Sequence, residues 1–419
     1  MTSTQHRAAS GPAVTPRTDH GPHSHAEPRP TPWGRYRRWY SRLPPALQMI
    51  GLQMWLPLVF VVAFCLCYVY AFHSPAPKDL PVAVVGQPAA VGQLATGLES
   101  NSKGVLDVST VVTASQARDA VASGDLVAAY APAAGQGQKA TLLVASGAQY
   151  QLEAVAAATF QPVAAAQGAE LDVQDLAPLP SQDSYGTSLF YLVLVWTIGG
   201  YMVAMFVGMM GAALSHRTRA AIIVGSGLVT ALLSSLLVDV VVGAVTGHFW
   251  AMLGVGWATT VAIGAVVNGL AYFFGRFVTG VALLIFVFLN IPSSTGAFPP
   301  ELVPEPFAWL HHVSSAAGVL DVMRDIVYDV GPGAGTGFLV LLGYLVVGLV
   351  LSAVGKPYHE ARQARRKAAG KPPTMMQAAQ GAMAAAAAAA HEEDDSKERE
   401  DEVESGSGVG AASAVVAGD

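Results

Sequence analysis

Charge is what this sequence has least of, and the shortage is local. Of 419 residues, 12% are charged, against about 25% in an ordinary soluble domain, while 52% are hydrophobic. Between Ser188 and Gly355, leaving aside the segment 291–336, the only Lys or Arg residues are Arg217, Arg219 and Arg276, and the only carboxylate is Asp239. A run so poor in charge holds several apolar stretches of about 20 residues, the length that crosses a bilayer, and it excludes a soluble globular chain. Cysteine is nearly missing: Cys65 and Cys67 sit together inside an apolar run. That excludes a disulfide framework and a four-ligand metal site, and leaves two small apolar side chains facing lipid or a neighbouring helix. The G-x-x-x-x-G-K-[ST], H-E-x-x-H and G-x-S-x-G patterns are absent, so no nucleotide, metal or acyl-transfer site is legible. With no nucleophile–base pair in one place, no enzyme activity, cofactor or metal is expected.

What is present divides into five stretches. Residues 1–45 form a cytoplasmic tail that begins rich in Pro, His, Ser and Thr and reads as disordered; His20, His23 and His25 belong to that solvated tail. It ends in a basic-aromatic segment, WGRYRRWYSRL (Trp33 to Leu43). Placed just before a span, this suits the lipid headgroup level better than nucleic acid. Residues 46–72 hold the first transmembrane helix, apolar from Met49 to Phe72 and too long for the core of a cleaved leader. Residues 73–186 read as an α/β domain. Strands are expected at 81–86, 106–111, 126–132, 140–146 and 171–176, with helices at Ala89–Ser100, 115–124 (Ser115 near its start) and Tyr150–Gln167.

Residues 187–356 carry five further spans, at about 188–214, 220–246, 250–273, 277–292 and 337–355. Residues 357–419 form a second cytoplasmic tail. It is basic first (Lys356, Arg362, Arg365, Arg366, Lys367, Lys371), then alanine-rich, then acidic in HEEDDSKEREDEVE. The fold class is therefore a polytopic α-helical membrane protein with six transmembrane helices and an extracytoplasmic α/β domain inserted between helices 1 and 2. Orientation follows from Lys and Arg. With both termini cytoplasmic, the clusters at 35–42, Arg217/Arg219, Arg276 and 356–371 all fall inside, and the loops without them fall outside. The Ala/Gly/Val-heavy composition fits a bacterium with a GC-rich genome.

Several residues inside the spans stand out. Gly200, Ala204, Gly208 and Ala212 recur every four residues and make a seam of small side chains where another helix approaches closely, in the same chain or in a second copy. Gly225, Gly227, Gly254, Gly264, Gly343 and Gly348 support helix packing in general. Asp239 is the one carboxylate well inside a span. Such a group faces protein or water, finds a partner or stays protonated, so proton coupling, an interfacial position and a local hydrogen bond are all open. Asn268 and Asn290 read as interhelical glue.

The stretch NIPSSTGAFPPELVPEPFAW (290–309) is both proline-rich and apolar. The span before it has only about 15 residues ahead of Pro292, short of the ~20 needed to cross straight. A segment that follows so short a crossing stays near membrane depth, where proline is useful because it has no N–H to leave unsatisfied. Phe307, Trp309 and Leu310 mark one short helix, and Val319, Leu320, Met323, Ile326, Val327 and Val330 a second. The expectation is a pair of amphipathic helices in the outer interface at about 299–330, with Arg324 paired to Asp321, Glu301 or Glu305.

The residues Asn290, Pro292, Ser293, Ser294, Gly296, Pro299, Pro300, Glu301, Leu302, Pro304, Phe307, Arg324, Ile326 and Tyr328 follow the order N-x-P-S-S-x-G…P-x-E-L-x-P-x-x-F…R. With one span, an external insert and five further spans, this pattern resembles the membrane subunits of type-2 ABC exporters, and within them the YhgE/Pip-like branch, over about 33–355. The resemblance implies an exporter half that dimerises in the lipid bilayer, is driven by a separate ATP-binding subunit, and joins its last two spans by short outward-facing re-entrant helices. ATP-driven members usually have a sizeable cytoplasmic segment between the second and third spans; here it is SHRTR (215–219). The expected function is a plasma-membrane permease moving a hydrophobic, drug-like or polymeric substrate outward, with no nucleic-acid partner. The alternative is a non-transporting interaction or secretion-accessory protein that acts through its external domain. Asp239, Asn268, Asn290, Pro292, Ser294, Gly296, Pro300, Glu301 and Arg324 are the candidate pathway or gate.

Overall fold

A computed structural model describes residues 54–370 apart from 136 and 211–213, with isolated positions in the tails (39, 44, 47, 381, 382, 385, 386 and 389). The tail histidines, the basic-aromatic segment apart from Trp39, Ala212 and the acidic C-terminal stretch lie outside the described residues. The chain divides into two compact units, Met1–Leu58 and Val59–Asp419, and nearly everything described belongs to the second.

Helix α1 runs over Trp55–Phe64, passes through a π-helical turn at Cys65–Val69 and ends at Tyr70–Phe72. Next come β1 (Leu80–Val85), α2 (Pro88–Asn101), β2 (Leu106–Val111), α3 (Ala114–Ala122), β3 (Ala128–Ala131), β4 (Ala140–Val144), α4 (Ser146–Ala166) and β5 (Leu171–Asp175). The strands form one five-stranded sheet in the order β2-β1-β3-β4-β5, parallel except for the antiparallel β3–β4 pair. Strands so apolar (LPVAVV, ATLLV) are those expected when helices cover the sheet. Tyr130 stacks on Phe160 of α4 at 5.0 Å in the core beneath. Thr113 caps α3, its hydroxyl accepting from the Gln116 amide; the cap thus lies two residues before the expected Ser115. Helix α4 is broken at Gln149, whose backbone is extended, so its regular part starts where the sequence placed it.

The apolar half begins with α5 (Ser188–Met210), whose first amides are capped by the buried Asp183 carboxylate accepting from Thr187 and Ser188. It continues through α6 (His216–Leu236, extended by a π-helical turn over Leu237–Val242), α7 (Phe249–Phe274) and α8 (Val278–Leu283, extended by a π-helical turn over Leu284–Leu289). The last three are α9 (Glu305–His311), α10 (Ser315–Tyr328) and α11 (Ala334–Ala368). Four of these helices, at Ser188–Met209, His216–Val242, Phe249–Phe274 and Ala334–Ala368, are long and apolar enough to cross a membrane. Two apolar helices are shorter, Leu56–Phe72 and Val278–Leu289.

Helix α7 is the hub. Gly200 of α5 lies so close to it that a Cβ there would sit 2.8 Å from the Thr260 carbonyl, and one on Gly208 would sit 2.7 Å from Ala271. The described part of the small-residue seam is therefore an intrachain contact. On the other side, a Cβ on Gly348 of α11 would meet the backbone of Ala265 and Val266 at 2.5 Å. Gly225, Gly254 and Gly343, by contrast, face open space, so they do not pack helices within the chain.

The structure corrects one expectation and adds to another. Helix α11 does not stop near residue 355: its 35 residues, at about 1.5 Å each, reach roughly 52 Å. That exceeds the ~30 Å hydrocarbon core. Lys356, Arg362, Arg365, Arg366 and Lys367 therefore continue the last span as one helix. And α10 is covered by protein along most of its first ten residues. From Ser315 to Arg324 every residue but Asp321 is buried, because α10 packs against α5, α7 and α11, with Gly318 and Gly337 giving the close approach to α11.

Gly348→Leu should therefore destabilise the detergent-solubilised protein by about 1–3 kcal/mol or more, since the new side chain meets backbone that cannot move aside. Gly225→Leu, which meets nothing, should leave the thermal midpoint unchanged. Parallel thermal unfolding of the two variants checks the α7–α11 contact.

Candidate functional site

The chain leaves helical form at the end of α8, and the residues there solve a backbone problem. In the π-helical turn the Asn290 amide donates to Ile285, five residues back, at 3.0 Å. In that register Val287's partner would be position 292, a proline with no N–H. The Val287 carbonyl instead accepts from the Tyr68 hydroxyl at 3.0 Å, from the π-helical turn of α1. Pro292 then opens a single 3₁₀ turn, Pro292–Ser294, in which Ser294 Oγ donates to Ile291 and accepts from the Gly296 amide.

Asn290 ties this end to the start of the buried helix. Its side-chain Oδ1 accepts from Ser314 Oγ (2.8 Å), Ser315 Oγ (3.2 Å) and the Ala316 amide (3.2 Å), and its backbone carbonyl accepts from Ser314 Oγ as well. Ser314 is itself the cap of α10, accepting from the Ala317 amide. One carboxamide thus serves one amide and two hydroxyls at the start of α10. The Nδ2 of Asn290 is buried without a partner.

Thr295 follows in the left-handed region (φ 61°), strained for a β-branched residue by about 1–3 kcal/mol. That conformation presents its carbonyl to two donors, Gln149 Nε2 of α4 at 2.7 Å and a guanidinium nitrogen of Arg324 at 3.3 Å. Gln151 Nε2 donates to the Ala297 carbonyl at 3.0 Å, and the Gly331 amide donates to Ala122. Lys78 donates from its backbone to Glu301 and pairs through Nζ with Glu305 at 3.1 Å. Phe298 and Leu302 pack into the core of the α/β unit. The 290–332 segment is therefore the socket that holds the sheet-bearing unit on the helices. Neither Gln149, Gln151, Thr295, His311 nor Phe190 was singled out by the sequence; the donors at 149 and 151 carry no local signal, and only the unusual Thr before Gly296 hints at a turn.

Gly296 has no room for a side chain, since a Cβ would lie 1.9 Å from the Phe190 ring. Pro300 opens a second 3₁₀ turn, Pro300–Leu302, and lines a cavity of about 260 Å³ together with Thr295, Glu301, His311, Asp321 and Arg324. Five of the candidate residues (Asn290, Pro292, Ser294, Gly296, Pro300) thus build one continuous turn structure, with Glu301 and Arg324 facing the cavity behind it. Asp239 and Asn268 are elsewhere. Asp239 accepts from the Gly247 amide at 3.1 Å and closes the turn after α6, and Asn268 donates to Ser352 of α11 at 3.4 Å.

Burial sets the electrostatics of the cavity. Arg324 is 9% exposed and sits at the ion-pair limit, 4.0 Å from Asp321. Desolvation pulls its guanidinium down to about 10, against the opposing Asp321 charge. Desolvation likewise raises Asp321 and Glu301. Of the three expected partners of Arg324 only Asp321 is near it: Glu305 is taken by Lys78, and Glu301 Oε2 is buried with no hydrogen bond. His311 bonds through Nδ1 to the Ser293 carbonyl at 3.3 Å, and burial lowers it to about 4.

Four helices long and apolar enough to cross a membrane, with α10 buried among three of the chain's helices, fit a helical membrane permease. The chain matches the family described as ABC-2 family transporter protein over residues 48–354, more than half its length, and it belongs to that family. It is thus a multi-pass plasma-membrane protein and the permease subunit of an exporter. No curated protein matches it.

The neutral state of His311 has a consequence for acid stability. The unfolded chain takes up its proton from about pH 6.5 downward, the folded one only near 4. The contribution of about 3 kcal/mol is therefore complete above pH 6.5 and lost as pH falls to 4. Glu301 and Asp321, raised by burial, work in the opposite sense, and the nearby charges of His312 and Arg324 add to the cost of protonating His311. His311→Asn should lose less stability than the parent between pH 6.5 and 4 when thermal midpoints are followed with pH. Gly296→Ala should lower the midpoint at neutral pH, and adding Phe190→Ala should recover most of that loss.

Proposed function

We propose that this permease works as a homodimer with a separate ATP-binding subunit, and that it moves a hydrophobic, drug-like or polymeric substrate outward. The observation that carries the reading is α10, a helix buried among α5, α7 and α11 and entered through a non-helical segment. Backbone of that kind at membrane depth is tolerated only where protein covers it or water reaches it. On this reading α1 and α8 also cross the bilayer, giving six spans, and the distribution of Lys and Arg puts both termini inside and the α/β unit outside. The order of residues from Asn290 to Tyr328 supports the YhgE/Pip-like branch. The scarcity of polar groups within the spans favours an apolar substrate over a small hydrophilic one.

The link between the second and third spans is short, so coupling to an ATPase needs another surface. The extension of α11 beyond Gly355 supplies one. It is anchored on α7 by a His359 Nδ1 contact to the Tyr272 carbonyl at 3.3 Å. Tyr272 in turn bonds Arg219 at 3.2 Å and His216 at 3.1 Å, so the short turn and the α11 extension are tied to one residue.

Affinity purification of the tagged chain from its native membrane tests the reading. An ATP-binding subunit in stoichiometric amount, with two copies of the chain per particle, is the expected result, and Arg362→Glu with Arg365→Glu should reduce that subunit severalfold. Recovery of the chain alone, or with envelope proteins only, would sink ATP-driven export in favour of a non-transporting protein acting through the α/β unit.

A further inference from the structure

The cavity behind the 290–304 turns has a composition that neither helix packing nor transport through the spans requires. It lies where α4 of the sheet-bearing unit meets the re-entrant segment, and its lining includes Gln149, Glu153, Thr295, Glu301, Asp321 and Arg324. At about 260 Å³ it is smaller than the usual drug-sized pocket of about 300–1,000 Å³, which limits the occupant to a small molecule or the end of a larger one.

Both charges in it are incompletely served. The Arg324 guanidinium is nine-tenths buried, and its contacts are long: Thr295 Oγ1 at 3.4 Å, the Thr295 carbonyl at 3.3 Å and Asp321 at 4.0 Å. A guanidinium offers five N–H donors in a fork that matches a carboxylate or phosphate. Glu301 Oε2 has no hydrogen-bond partner although it is sealed from solvent, and no ion pair joins Glu301 to Arg324 among the described residues. Each group is therefore incompletely partnered: Arg324 has only long contacts, and Glu301 keeps one oxygen without a hydrogen bond, so neither fully offsets its desolvation. A simple anion would meet Arg324 but face Glu301, Glu153 and Asp321. A simple cation would meet the carboxylates but face Arg324. A metal ion is not favoured either, since no group of three or more metal-ligating side chains is found among the described residues.

We propose that this cavity binds a small zwitterion, with its phosphate or carboxylate on Arg324 and its ammonium on Glu301. Glu153 stands ready as a second acceptor in the same lining, where burial raises its carboxyl with Asp175 adding to the effect. Thr295, strained to aim its carbonyl at Arg324 and Gln149, holds the anion end in place. Because Gln149 belongs to α4 and Arg324 to α10, an occupant bridges the two halves of the chain and should stiffen their junction. The proposal stands independently of substrate and energy source, since it needs only the junction itself.

Glycerophosphoethanolamine is a suitable probe, with glycerol 3-phosphate as the anion-only control and ethanolamine as the cation-only control. Titrated into the full-length protein in phospholipid-free detergent, the zwitterion should bind at least tenfold more tightly than either control and raise the thermal midpoint. Glu301→Gln should bring its affinity down to that of glycerol 3-phosphate without weakening the latter; Glu153→Gln, measured alongside, should give a smaller loss and serves if the first variant does not fold. Nanodiscs of phosphatidylethanolamine and of phosphatidylglycerol separate the sources. Stabilisation by the former that Glu301→Gln removes identifies a lipid headgroup, and its absence together with binding of the free probe identifies a soluble ligand. The proposal is overturned if the zwitterion binds no more tightly than glycerol 3-phosphate, if both glutamine variants match the parent, or if neither free probe nor nanodisc has an effect.

Discussion

A backbone that stops being helical in a buried setting must find a partner for every polar group it exposes, and in this protein that requirement converges on Asn290. An unsatisfied amide or carbonyl in an apolar setting costs about 1–3 kcal/mol in folded proteins, and the turn after α8 would expose several. The Asn290 carboxamide accepts from two hydroxyls and one amide at the start of α10, so the end of one helix and the beginning of another are fixed by one side chain. The prolines around it remove donors where no acceptor exists. Tyr68 answers the one carbonyl that Pro292 leaves without a partner, and in doing so it docks α1 on α8.

Everything on the far side of that turn inherits its position from it. Helix α10 reaches into the bundle because its N-terminus is anchored, and the glycine pair Gly318 and Gly337 lets α11 close over it. Thr295 and Ala297 offer carbonyls to α4, so the sheet-bearing unit is fixed to the same turn that fixes the buried helix. The segment is stiff because three structures rest on it, and apolar because two of them bury it: Phe298 and Leu302 join the core of the α/β unit, while Phe307 packs against α1.

Much of this was legible in the sequence, for a physical reason. Apolar runs and strand–helix alternation are local signals, so the strands at 80–85, 106–111 and 140–144, and the helices at 88–101 and 249–274, fall within a few residues of their expected places. The helix that carries the last span runs on past residue 355 because charge stops membrane burial but does not stop a helix; Lys and Arg are good helix formers. The covering of α10 by protein was not legible for a related reason. An amphipathic pattern says that one face is apolar, not whether lipid or protein covers it. Spacing offered Asp321 as a partner of Arg324, which the structure bears out; only three-dimensional placement shows that Lys78 occupies Glu305 and that Glu301 keeps one oxygen without a hydrogen bond. Gln149 and Gln151 could not be found at all, since a glutamine on a helix surface looks like any other until its acceptor, 146 residues away in each case, is known.

The two ends of α11 differ in how the groups around them hold charge. At the Tyr272 end, Arg219, His216 and His359 share one aromatic side chain and its backbone, a cluster whose members satisfy each other. At the Arg324 end, Glu301 has an empty oxygen and Arg324 has only long bonds. A satisfied network resists rearrangement, whereas a partly satisfied one has a second arrangement within reach. Helix α11 touches both ends, through Gly318 and Val322 of α10 near one and through Tyr272 and Phe273 near the other. One helix, with Pro357 inside it, thus joins a cluster whose members satisfy each other to one with polar groups still unserved.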